Sequence, residues 1–237
     1  MTTQPYIYEH LRCKGYEVRY IERHLARLDA LSQAYFLSPC GIGREELQRR
    51  VEVALREGGY SPRHANTVIV RRYVDGGFDV EPEGCLYDEF SLRALHSEGY
   101  LRGYSGEALV CNTSAKEAAL AFERSVAEIE DRGVALWHNF DGEIISIDGG
   151  SAVAVFDGEM RFSRLGEGVE FDIAFEVANR WRKDVTRGAI MAEDLKRAKE
   201  LFTVDYRGVT SLSRVDSKVY SDIAAEKLAR QVADLER

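Results

Sequence analysis

What most restricts the folding of this chain is a rhythm in its second half, where short apolar segments alternate with Asp-Gly turns and are flanked by helical patterns. Residues 134–138, 143–147 and 152–156 are too short for helices and rich in β-branched and aromatic side chains. With turns at Asp141-Gly142 and Asp157-Gly158, they are expected to be strands. Ahead of them, 108–111 reads as a further short strand. Ser114 and Glu117 then have the spacing of a capping box, which predicts a helix burying Ala118, Phe122, Val126 and Ile129. Beyond them, a helix from about Glu170 places Phe171, Ala174, Phe175, Ala178 and Trp181 on one face. Residues 201–205 form another strand, and Ala224, Leu228, Val232 and Leu235 line a closing helix. Elements in this order predict an α/β fold.

The first half opens with two β-rich segments, YIYEHLR from Tyr6 and YEVRYI from Tyr16, joined at Cys13-Lys14-Gly15 as a hairpin. Ile21, Leu25, Leu28, Leu31 and Tyr35 follow helical spacing, a second helix covers about 44–56, and a strand at 67–70 ends in Arg71-Arg72. Residues 76–106 carry many glycines and acids without a sustained period, and are expected to form an interlobe connection or an active-site loop. The expected organisation is two lobes, 1–110 and 111–237, with a ligand cleft between them.

At 237 residues, 45% hydrophobic and 30% charged, the chain can bury a substantial core. Its formal net charge of −8 works against a nucleic-acid or anionic-membrane surface, since either needs clustered Lys and Arg, and leaves small molecules and proteins as partners. Cys13, Cys40, Cys85 and Cys111 are far apart with no CxxC pairing, so neither a zinc framework nor a disulfide scaffold is expected. No basic-then-apolar leader and no apolar run of about 18 residues occurs, which points to a cytoplasmic protein.

Four landmarks stand out. His24-Leu25-Ala26-Arg27-Leu28 follows the strand pair that contains Tyr8-Glu9. Lys116 opens the helix that precedes Gly133. Gly142-Glu143-Ile144-Ile145-Ser146 leads through Ala152 to Gly158 and on to Gly168-Val169-Glu170-Phe171. Glu200-Leu201-Phe202 runs into Asp205-Tyr206. In order and spacing, over most of the chain from Tyr6 onward, these landmarks resemble the fold-type IV pyridoxal 5'-phosphate (PLP) enzymes. That family, the class IV aminotransferases, comprises the branched-chain and D-amino acid aminotransferases and aminodeoxychorismate lyase.

The resemblance implies a two-lobed α/β fold, with a smaller N-terminal α/β lobe and a C-terminal pseudo-barrel lobe. It also implies a homodimer, PLP as cofactor and a small amino acid or amine as substrate. Arg27 would grip the cofactor phosphate, a role suited to its planar fork. Lys116, after a local shift of one residue, would be the Schiff-base lysine, made nucleophilic by burial and a helix N-terminus. Ser146 or Asp148 would lie near the pyridine nitrogen, and Val169, Glu170, Asp205 and Tyr206 in the phosphate cup. Taken singly, Arg27 also reads as a surface residue of an amphipathic helix, and Lys116 as a solvated first-turn lysine.

The chain departs from the family where charge matters. Ser146 aligns with the glutamate that keeps the pyridine nitrogen protonated, and a neutral hydroxyl cannot stabilise a pyridinium as a carboxylate does. Asp148, two residues on and hence on the same face of an extended strand, supplies a carboxylate if the register shifts; otherwise it is a turn residue before Gly149-Gly150. Glu170 aligns with the cup threonine and Asp205-Tyr206 with a hydroxyl pair, so carboxylates face a site built for a dianion. Glu170 is also explained by the helix macrodipole, or it fills the anion site itself and pairs with Arg27.

Three functions are compatible with these residues. One is PLP-dependent transamination or lyase chemistry. A second is a cofactor-free divergent homologue that binds another ligand. The third is an enzyme without PLP that uses His10, His138 or Tyr206 for proton transfer. Substrate choice in the relatives resides in loops whose counterpart, 76–106, is the least patterned part of the chain.

Overall fold

The computed structural model describes residues 4–86, 92–104 and 109–236. The chain divides into two compact units, one formed by Met1–Glu89 with Cys111–Glu117 and the other by Phe90–Val110 with Ala118–Arg237.

The first unit contains β1 (Tyr6–Lys14), β2 (Glu17–Val18), α1 (Ile21–Phe36), α2 (Arg44–Glu57), β3 (Ala65–Tyr73) and β4 (Phe78–Leu86). The strands form an antiparallel sheet in the order β2-β1-β3-β4. The hairpin foreseen at Cys13-Lys14-Gly15 is present, with Cys13 paired to Val18. Leu47, Val51 and Leu55 recur every four residues along α2, so they form one stripe. That stripe packs with Leu28 against Leu11, Val68 and Val70 of the sheet. Each such side chain contributes roughly 1.5–3 kcal/mol by leaving water. Tyr35 is 41% exposed, outside the stripe of α1 that buries Ile21, His24, Leu28 and Leu31.

Where the segment 76–106 is described, strands replace the active-site loop offered there as one expectation. Phe78, Val80, Pro82, Gly84 and Leu86 are half-buried on one face of β4, and Asp79, Glu81, Glu83 and Cys85 are exposed on the other. This is a period-2 strand whose proline, glycine and acids disguise it. Pro82 is tolerated because β4 is an edge strand. Residues 92–103 form a second strand, while 87–91 and 105–108 lie outside the described residues.

The second unit contains β5 (Leu92–Gly103), α3 (Ser114–Ile129) beyond its first turn, β6 (Val134–His138), β7 (Ile144–Ile147), β8 (Ser151–Phe156), β9 (Glu159–Ser163), α4 (Val169–Trp181), β10 (Val185–Gly188), β11 (Glu200–Asp205), β12 (Gly208–Val215), β13 (Lys218–Val219) and α5 (Ile223–Glu236). Its sheet runs β10-β9-β8-β11-β12-β5-β6-β7, with β13 on β12, and curls into a half-barrel. Leu136, Ile144, Ile147, Ala152, Ala154, Leu201 and Leu212 form its main core. The strand expected at 108–111 is absent: Leu109 to Cys111 make a tight turn, and Ala108 lies outside the described residues.

Helix α3 corrects two further expectations. Its cap is Thr113, whose hydroxyl and carbonyl accept from the N–H groups of Lys116 (3.4 Å) and Glu117 (3.0 Å), one residue before Ser114. Its inward face carries Glu123 and Ala127, whereas Phe122 is 60% and Ile129 83% exposed. The helix has two apolar stripes, and the bond from the Tyr100 hydroxyl to Glu123 at 2.8 Å selects the one that meets the sheet. In α5, Ala224, Leu228 and Val232 are buried as expected, while Leu235 is 46% exposed in the last turn. Among the described residues no helix is long and apolar enough to cross a membrane.

Candidate functional site

In the first unit, alternation along β1 turns Glu9 to the same side as Leu11 and Cys13, the side that packs on the helices. His24 and Arg27, three residues apart on α1, meet it there. Glu9 Oε1 lies 3.1 Å from His24 Nδ1 and accepts from Arg27 Nε at 3.1 Å. Burial pushes the Glu9 carboxyl up, but Arg27 and His24 outweigh burial and hold it down to about 2. Arg27 therefore spends an N–H on an internal carboxylate.

Lys116 is buried in the first turn of α3, with Nζ 3.2 Å from Asn112 Oδ1. Neighbouring Glu117 accepts from the Tyr6 hydroxyl at 2.6 Å and from Arg71 Nη2 at 3.0 Å, and Arg71 Nη1 also reaches Glu81 at 2.6 Å. Burial raises the Glu117 carboxyl, and the bonds from Arg71 and Tyr6 more than offset it, for a net lowering. Burial and the same carboxylate push the Tyr6 phenol up to about 12. His10 Nδ1 is 2.7 Å from Glu83.

In the second unit, Ser146 is buried on β7 opposite Trp137 of β6. Asp148 has left the strand: its φ of 48° is left-handed, so it does not continue the face of Ser146 as extended alternation would require. It is a turn residue held by two arginines, Arg124 Nε at 2.8 Å and Arg207 Nη1 at 3.3 Å. Arg207 also donates to Asp205 Oδ2 from Nη2 at 2.6 Å and from Nε at 3.0 Å, and its guanidinium lies 5.5 Å from the Tyr206 ring centre. Burial works against the charge of Arg207, but Asp205 outweighs it, so the pKa is raised.

The sequence reading missed Arg207, Arg124 and Glu123. The available signal for Arg207 was Asp-Tyr-Arg-Gly between two strands, a tight turn in which an acid and a base two residues apart can close on each other. Val169 is buried to 1% exposure, and Glu170, 5% exposed, stands in the first turn of α4. That turn follows Gly168, whose φ of 132° only glycine adopts without strain. His138 Nδ1 is 2.9 Å from the Asn139 carbonyl.

No family model and no curated protein sequence matches the chain. Solved structures do match, and the fold is that of the fold-type IV aminotransferases. A hypothetical aminotransferase from Mycobacterium tuberculosis is 16% identical with a TM-score of 0.75, covering 98% of this chain and 90% of its own. A branched-chain aminotransferase from Thermoproteus uzoniensis is 16% identical with a TM-score of 0.78, over 96% of this chain and 84% of its own. The branched-chain amino acid aminotransferase of Escherichia coli is 13% identical with a TM-score of 0.76, over 96% and 83%. The M. tuberculosis protein is also described in a PLP-bound form. At these identities the likeness is one of fold.

Proposed function

We propose that the chain is a cofactor-free, divergent relative of the class IV aminotransferases that binds another ligand on the same scaffold. The observation that carries this reading is the closure of Arg207 on Asp205 and Asp148. A PLP phosphate requires donors that are not already neutralised, together with hydroxyls in its cup. In the first unit Arg27 gives its Nε–H to Glu9; in the second, carboxylates stand at Glu170 and Asp205 where the resemblance calls for hydroxyls, and carboxylates disfavour a dianion. Ser146 adds no charge to replace the pyridine partner.

A second reading keeps PLP-dependent transamination or lyase chemistry on a small amino acid or amine, with Lys116 as the Schiff base. The burial of Lys116 in the first turn of a helix favours it, because a Schiff-base lysine must be held in place out of bulk water. Incubation with excess PLP separates the two. The first reading expects no visible absorbance band to stay with the protein after desalting, and a retained yellow chromophore supports the second. A homodimer belongs to either reading, supported by Phe122 and Ile129, which stand exposed seven residues apart on one side of α3. A monomer by light scattering at micromolar concentration would remove it.

A further inference from the structure

Within the second unit, α3 and β6 flank an open cavity of about 370 Å³. Its size falls within the range of about 300–1,000 Å³ usual for small-molecule sites. Leu120 and Ala127 of the helix, with Ala135 and Trp137 of the strand, make its wall mainly apolar. Two buried polar atoms in that wall keep hydrogen-bonding capacity among the described residues. The indole N–H of Trp137, a residue 1% exposed, has no acceptor. Glu123, 3% exposed, takes the Tyr100 hydroxyl on Oε1 at 2.8 Å, while Oε2 receives no hydrogen bond and has Arg102 Nε 3.4 Å away. Buried groups of this kind are costly unless something satisfies them.

Two carboxylates of the lining keep capacity for a cation. Arg124 is balanced by Asp148 at 2.8 Å and Arg132 by Glu130 at 2.9 Å. Glu123 has one long contact with Arg102, and Glu128 makes no ion pair among the described residues. Asp148 is held by Arg207 as well as Arg124, so the carboxylates of the lining with capacity left are Glu123, through Oε2, and Glu128.

We propose that this cavity binds a small monocationic amine with an aromatic or aliphatic body and one hydrogen-bond acceptor. The ammonium meets Glu123, the body lies against Leu120, Ala127 and Trp137, and the acceptor takes the indole N–H. The site uses neither Lys116 nor Arg27, so it stands whether or not PLP binds.

Tyramine carries all three features and serves as the probe, with neutral 4-ethylphenol and anionic 4-hydroxyphenylacetate as comparators. Calorimetric titration of the PLP-free protein is expected to show saturable tyramine binding at or below millimolar concentration. Neither comparator should bind as well, and the Trp137 indole N–H resonance, assigned with Trp181→Phe, should shift. Glu123→Gln should weaken tyramine at least about tenfold, the worth of one charge-assisted bond. Ala127→Leu, which fills the cavity, should abolish binding while the melting curve stays cooperative. If that variant does not fold, Glu123→Gln and the indole resonance decide the matter. The proposal is overturned by no saturable tyramine binding in the wild type, by equal binding of the carboxylate, or by affinity that Glu123→Gln leaves unchanged. None of these readouts involves PLP absorbance, so its failure is distinct from failure of the cofactor-free reading.

Discussion

Arg207 and Asp205, two residues apart in the turn between β11 and β12, close on each other with Nη2 2.6 Å from Oδ2. Arg207 also reaches Asp148, 59 positions away in sequence, with Nη1 at 3.3 Å. The Arg207 and Asp205 side chains are only 17% and 10% exposed, so the pair is largely out of water. Removing one partner of such a pair strands the other. Asp205→Leu should therefore cost about 2–4 kcal/mol in urea denaturation, and Asp205→Leu combined with Arg207→Met distinctly less. A loss in the double variant equal to the sum of the losses in Asp205→Leu and Arg207→Met alone would show that the pair is not coupled.

Glu9 predicts an acid limb. Its folded carboxyl titrates near 2 against an ordinary 4.5, so between those values the unfolded chain binds more protons. The stability Glu9 contributes is fully present above about pH 4.5 and is lost as pH falls towards 2, a loss on the order of 3 kcal/mol. Glu9→Gln should lower stability at neutral pH and flatten the dependence in that window. A variant with the wild-type slope would place the acid sensitivity elsewhere.

The closing helix depends on a residue outside it. Glu200, at the start of β11, accepts through Oε1 and Oε2 from the N–H of Ala224 at 2.9 Å, and through Oε2 from Ala225 at 3.1 Å. It is 5% exposed, so these charge-assisted bonds satisfy the free donors of the helix start with little competition from water. Glu200→Ala should cost about 2–3 kcal/mol and Glu200→Gln less. Hydrogen exchange should locate the weakening in the first turn of α5.

What the sequence made legible follows from how local each signal is. The strands at 134–138 and 152–156, the first hairpin, the helix α2 and the stripe of α4 depend on near neighbours, and the structure has them. The first strand of the 76–106 segment was hidden because Pro82, Gly84 and three acids are admissible on an edge strand. The inward face of α3 was missed because a buried glutamate marks it, and the bond from Tyr100 that makes the burial tolerable comes from another strand. In the candidate site, the positions of Glu9, Lys116 and Glu170 on their elements were readable. The closure of Arg207 on Asp148 was not, since the two are 59 positions apart and meet only once the sheet has formed.

Glu170→Thr tests whether restoring the family's hydroxyl restores an anion site. With Arg207 already closed on its carboxylates, the change should leave PLP unbound. Loss of a buried acid at the start of α4 should cost about 1–2 kcal/mol, at the upper end of helix-dipole effects. Thermal melts with and without PLP read both numbers, and PLP-dependent stabilisation of the variant would mean that the remaining residues suffice for the phosphate.

The most direct test of the cofactor-free reading is borohydride reduction of the protein after incubation with excess PLP, followed by peptide mapping by mass spectrometry. The account predicts no pyridoxyl adduct on Lys116 above the scattered labelling of exposed lysines, because under the proposed reading the chain does not hold PLP. A stoichiometric adduct on Lys116 would contradict it and would establish the chain as a PLP protein.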